Sequence, residues 1–96
     1  MSRVVVYSTQ VCPYCQMAVR LLQSYGVIHV EKVLIDLDPK RRIEMIERTG
    51  QRTVPQIFIG STHIGGYADL AELDRIGKLT LLLEVTCTSF RLDTPC

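Results

Sequence analysis

An α/β fold is predicted by three observations. Apolar, β-branched stretches alternate with stretches of helical periodicity, the order along the chain is β-α-β-α-β-β-α, and most junctions carry a proline, aspartate or glycine signal. The 96 residues, 47% of them hydrophobic, suffice for one domain with one modest core.

Each element follows from its residues. Val4-Val5-Val6-Tyr7 is β-branched and aromatic throughout, which predicts a strand buried on both faces. Residues 13–25 carry Met17, Ala18, Leu21, Leu22 and Tyr25 at helical spacing, with Gly26 as a stop. The loose alternation of Ile28, Val30, Val33 and Ile35 predicts a second strand over Val27–Leu37. Asp38 then caps, and Pro39 opens, a helix to about Thr49 that turns Ile43 and Ile46 inward and closes at Gly50. A strand from Gln56 turns at Gly60-Ser61 into Thr62-His63-Ile64, an antiparallel hairpin. Gly65-Gly66 precede a last helix with Leu70, Leu73 and Ile76 inward and Gly77 as its stop. His29 reads as a surface or half-buried residue.

The chemistry concentrates at Cys12-Pro13-Tyr14-Cys15, where the first strand gives way to the first helix. Unpaired N–H groups and the positive end of the helix dipole favour an anion there, so Cys12 should ionise below the roughly 8.5 of a free thiol. Cys12 is the candidate nucleophile. Cys15, one turn on and on the same side, can attack a mixed disulfide formed on Cys12 and is the candidate resolving thiol. Pro13 suits a first helical turn, where its missing N–H has no partner to lose. Half a zinc site, a structural disulfide or two small core residues are the other readings of the pair. Zinc needs more ligands, and Cys87, Cys96, His29 and His63 offer no second C-x-x-C or H-x-x-x-H spacing.

Two further stretches are candidate binding elements. Pro55 cannot donate to a strand ladder and holds Val54 extended, which leaves the Val54 backbone available to an extended ligand. Gly65-Gly66 allow close approach of backbone N–H groups at a helix start, and Asp69 adds a place for an amine. A ligand with a carboxylate beside an ammonium would satisfy both features. An ordinary loop proline and an ordinary glycine turn are the simpler readings.

Net charge of +1, with no basic block interleaved with aromatics, gives no sign of a nucleic-acid partner, and no run of 18 apolar residues argues for a membrane span. The first strand follows Met1-Ser2-Arg3 directly, without the apolar region of a signal peptide, so a cytoplasmic setting is expected. There a C-x-x-C pair cycles between dithiol and disulfide.

Taken together, Cys12-Pro13-Tyr14-Cys15, Thr53-Val54-Pro55 and Gly65-Gly66-x-x-Asp69, in that order over about residues 3 to 83, resemble a dithiol glutaredoxin of the bacterial glutaredoxin 3 kind. The resemblance implies a thioredoxin-like fold: a four-stranded mixed sheet, helices on both faces, and Pro55 in cis. It implies a glutathione-dependent thiol–disulfide oxidoreductase acting on protein disulfides and protein–glutathione mixed disulfides, with no metal required and a monomeric chain. Carried over by position, Cys12 is the nucleophile and Cys15 the resolving thiol. Tyr14 lines the glutathione groove, Thr53, Val54 and Pro55 meet the cysteinyl backbone, and Gly66, Ala68 and Asp69 hold the γ-glutamyl end. Arg42 corresponds by spacing to a residue facing the glycine carboxylate.

The chain departs from that pattern at several points. Thr9 stands where many members have a lysine, Tyr67 where a cysteine is common, and Ala68 where a polar residue is common. Beyond Leu83 a tail, residues 84–96, brings Cys87 and Cys96, for which a strand, a frayed end or thiol exchange with the active site are the readings. An alternative function is a glutathione-ligated [2Fe-2S] carrier, which the resemblance disfavours because Pro13-Tyr14 stiffens the mouth and Cys15 competes for Cys12. A thioredoxin is a third, without the Trp-Cys-Gly-Pro-Cys pattern of that family.

Overall fold

The computed structural model describes residues 3–88, with side chains to residue 83. The elements are β1 (Val4–Ser8), α1 (Pro13–Ser24), β2 (Val30–Leu34), α2 (Pro39–Thr49), β3 (Gln56–Ile59), β4 (Thr62–Gly65), α3 (Tyr67–Arg75) and α4 (Lys78–Thr88). Cys96 and the side chain of Cys87 lie outside the described residues.

β1 is central because every residue in it is buried. It pairs in parallel with β2 (Val4 opposite Val30) and antiparallel with β3 (Val4 opposite Ile59), and β3 continues antiparallel into β4. The sheet order is therefore β2-β1-β3-β4, a mixed sheet of four strands. Strand side chains alternate between faces, so a β1 that is apolar or aromatic from Val4 to Tyr7 demands cover on both. Val4, Val6, Ile57 and Ile59 pack with Ala18, Leu22, Leu70 and Leu79, which puts α1, α3 and α4 on one face. Val5, Tyr7 and Phe58 pack with Val33, Ile35 and Met45, which puts α2 on the other. Each fully buried aliphatic side chain of these two layers contributes roughly 1.5–3 kcal/mol. This is the thioredoxin-like fold that the resemblance implied.

Helix boundaries follow the local signals. Asp38 accepts from the Lys40 N–H at 3.0 Å as the N-cap of α2, Pro39 follows, and Gly50 ends the helix with a φ of 70°. Tyr25 and Gly26 end α1.

Several expectations need correction. β2 begins at Val30 and ends at Leu34, not Val27 to Leu37: Ile28 is 90% exposed in the loop, and Val27 anchors that loop in the core without joining a ladder. In α2 it is Met45 that is fully buried, while Ile43 is 57% exposed. Ile46 packs partly buried against the Met45 cluster as expected, so the inward face of α2 runs through Met45 and Ile46 and leaves Ile43 outside it. Met17 and Ile76 are likewise exposed. Gly77 does stop α3, yet a further helix follows: α4 buries Leu79, packs Leu82 and Leu83 on the same core, and runs through Leu83 to Thr88. No helix among the described residues is long and apolar enough to cross a membrane.

Candidate active site

At the carboxyl end of the central strand the loop from β1 to α1 ends on Cys12, and Cys15 follows in the first turn of α1. Asp36, just past β2, accepts from the Gln10 N–H at 3.2 Å and ties this loop to the neighbouring strand end. Cys12 is the N-cap of α1 in extended conformation, and Pro13 is the first helical residue. The Cys12 sulfur accepts from the Cys15 N–H at 3.3 Å. No acidic residue sits in the first turn of α1, so nothing there opposes negative charge on that sulfur.

Cys12 and Cys15 form a disulfide, with a Cα–Cα distance of 5.2 Å, inside the roughly 4.4–6.8 Å span that such bridges need. Cys12 keeps 8% of its surface exposed against 2% for Cys15.

Tyr14 projects from between the cysteines and is 61% exposed. It lines a groove of about 340 Å³ with Thr53, Val54, Pro55, Gly66, Tyr67 and Ala68. The Val54–Pro55 peptide bond is cis. Pro55 is buried, whereas Thr53 and Val54 face the groove, and among the described residues the Val54 backbone makes no hydrogen bond. A second, more polar cavity adjoins it, lined by Thr53, Gln56, His63, Gly65, Gly66 and Asp69.

At the start of α3, Asp69 accepts from the Gly66 N–H at 2.9 Å, so its carboxylate holds the helix entry together while staying exposed. The φ of 114° at Gly65 and the nearness of the Asp69 carboxylate leave no room for a side chain there.

The comparisons bear directly on this arrangement. A family model described as Glutaredoxin matches residues 4–64, which include the cysteine pair and the cis proline. This chain belongs to the glutaredoxin family. A glutaredoxin of Neisseria meningitidis is 48% identical over 83 residues, covering 86% of this chain and 98% of that protein. Glutaredoxin 3 of Escherichia coli K12 is 48% identical over 84 residues, covering 88% and 100%. The crystal structure of a buckwheat glutaredoxin–glutathione complex superposes with a TM-score of 0.77 at 34% identity, covering 85% of this chain and 76% of that one. As a glutaredoxin with its two thiols at bonding distance, the chain is a thiol–disulfide oxidoreductase.

Of the residues singled out from sequence, the fold gathers Tyr14, Thr53, Val54, Pro55, Gly66 and Ala68 around one glutaredoxin groove. Asp69 lines the adjoining cavity. Arg42 is exposed on α2 and does not line the groove. Tyr67, noted in the sequence only as a departure, forms a wall of the groove and lies 6.1 Å, centroid to centroid, from Tyr14. An aromatic residue directly after Gly-Gly was the signal for it. Gln56 and His63 carried no such signal, because their contact is made across a hairpin.

Proposed function

We propose that this glutaredoxin uses glutathione to reduce protein disulfides and protein–glutathione mixed disulfides. The observation that carries the reading is the groove beside Tyr14, walled by the Thr53-Val54 segment, where the Val54 backbone makes no hydrogen bond to the described residues, and by the start of α3. Free backbone at Val54 suits the cysteinyl peptide of glutathione, and the α3 entrance with Asp69 suits a carboxylate beside an ammonium. The glutathione complex of the buckwheat relative supports the same assignment.

In the proposed reaction the Cys12 thiolate attacks the glutathionyl sulfur of a mixed disulfide. The S–S bond breaks, the protein thiolate leaves, and glutathione remains on Cys12. A second glutathione thiolate then attacks that glutathionyl sulfur, forming oxidised glutathione and returning the Cys12 thiolate. With a protein disulfide, Cys12 takes one sulfur of the client, Cys15 displaces the client by attacking Cys12, and two glutathiones reduce the resulting Cys12–Cys15 bond. Glutaredoxins as a class lie at roughly −200 to −230 mV, near the glutathione pool, so the chemistry runs in either direction.

The deciding experiment is glutathione-dependent reduction of a small glutathionyl mixed disulfide by the wild type, Cys12→Ser and Cys15→Ser. Loss of turnover with Cys12→Ser and its survival in Cys15→Ser is the expected pattern. A folded, reduced wild type that turns over with other thiols but not with glutathione would refute the glutathione assignment.

A further inference from the structure

Gln56 and Ser8 are the two buried polar side chains among the described residues, and Gln56 is 3% exposed. Its amide nitrogen donates to the Thr53 carbonyl at 3.0 Å and to the Thr53 hydroxyl at 3.3 Å. Its amide oxygen lies 2.8 Å from Nε2 of His63 on the next strand. The imidazole of His63 is itself stacked on Phe58, with centroids 4.9 Å apart.

These contacts fix one another. The Thr53 carbonyl only accepts, so Gln56 must present its NH₂ to it, which turns the Gln56 oxygen toward His63. That oxygen also only accepts, so His63 must carry a hydrogen on Nε2. The donation satisfies the buried amide, and Phe58 holds the ring in position. A buried amide left half-bonded would be costly, so the arrangement is held as a unit. At its far end the Thr53 hydroxyl, already accepting from Gln56, has its own hydrogen left to donate. Thr53 lines both cavities of the site.

We propose that Gln56, oriented by His63, is a positioning residue that locks the Thr53-Val54 segment in the form the ligand reads. The proposal rests on the glutathione reading of the groove. Gln56 acts through the Thr53 carbonyl and hydroxyl, and His63 acts through Gln56.

The test is steady-state kinetics of the full chain on a small glutathionyl mixed disulfide, comparing wild type with Gln56→Leu, His63→Leu, His63→Gln and the double variant Gln56→Leu/His63→Leu. Losing a hydrogen bond of this kind predicts a KM for the mixed disulfide raised roughly three- to tenfold in Gln56→Leu, with kcat within about twofold. His63→Leu should raise KM less. His63→Gln, whose amide can still donate, should restore it. The double variant should match Gln56→Leu alone, because the proposal has His63 act through Gln56 and not through its own place in the adjoining cavity. An active wild type with an unmoved KM in folded Gln56→Leu overturns the proposal, as does a double variant clearly worse than Gln56→Leu. If Gln56→Leu does not fold, the exposed His63 decides: a KM unmoved in His63→Leu overturns the proposal, and a rise restored in His63→Gln supports it. A wild type inert with glutathione overturns the function and this proposal together, whereas unmoved variants of an active wild type overturn the proposal alone.

Discussion

The hydroxyl of Tyr7 donates to the carboxylate of Glu44 at 2.5 Å, joining the end of the central strand to the middle of α2. Arg48, one turn along the same helix, donates to the same hydroxyl at 2.6 Å and lies over the Phe58 ring at 4.0 Å from its centroid. Arg41 adds an ion pair to Glu44 at 3.6 Å. The face of the sheet that α2 covers is thus fastened by a polar bridge on an otherwise apolar layer.

Tyr7→Phe removes that bridge while keeping the buried ring. A loss of roughly 0.5–1.5 kcal/mol is expected, since Glu44 and Arg48 retain access to water and to each other. Urea denaturation of the two proteins measures it.

The bridge has a pH signature. Burial, and then the hydrogen bond to Glu44, raise the Tyr7 pKa above its ordinary 10.0, although Arg48 pulls the other way. The folded state therefore holds this proton more tightly than the unfolded chain does. Its contribution is fully present below pH 10 and is lost as pH rises through the folded-state value. The stability difference between wild type and Tyr7→Phe should accordingly shrink above pH 10, and a constant difference there would contradict the assignment.

Gly65→Ala should destabilise the protein by about 1–3 kcal/mol. Its φ of 114° disfavours any side chain, and a Cβ would strike the Asp69 carboxylate that caps α3. Gly50→Ala, with a φ of 70° but open space around it, should cost less. Thermal unfolding of the pair separates the backbone effect from the collision.

Tyr67→Ala takes away the aromatic wall opposite Tyr14. Under the proposed function the KM for a glutathionyl mixed disulfide should rise roughly three- to tenfold, the worth of one aromatic contact, while Cys12 reactivity toward a small alkylating agent stays the same. Both readings come from the same preparation.

Local signals were legible in the sequence wherever local physics decides. Asp38, Pro39 and Gly50 set the ends of α2, and Val4 to Tyr7 announced a strand covered on both sides. The three short stretches that meet at the groove could each be read alone. What escaped was set by packing. Ile28 looks like a strand residue but is 90% exposed, because the β2 ladder starts two residues later. Met45 and not Ile43 faces the core, since the rotation of α2 is chosen by the surface it covers. Gly77 was read as the end of helical structure, although it separates two helices. Tyr7–Glu44 and Gln56–His63 join residues on different elements, and no periodicity encodes them.

The Cys12 sulfur is both half of the redox bond and the cap of α1. An anionic sulfur accepts a hydrogen bond more strongly than a neutral one, so the Cys15 N–H grips a thiolate harder than it grips the disulfide. The opening turn of the helix is therefore linked to the electron count of the site. Interactions that favour that turn more beside a Cys12 thiolate than beside the disulfide make the couple a better oxidant, and if reduced Cys12 is a thiolate, amide exchange at Cys15 should slow on reduction.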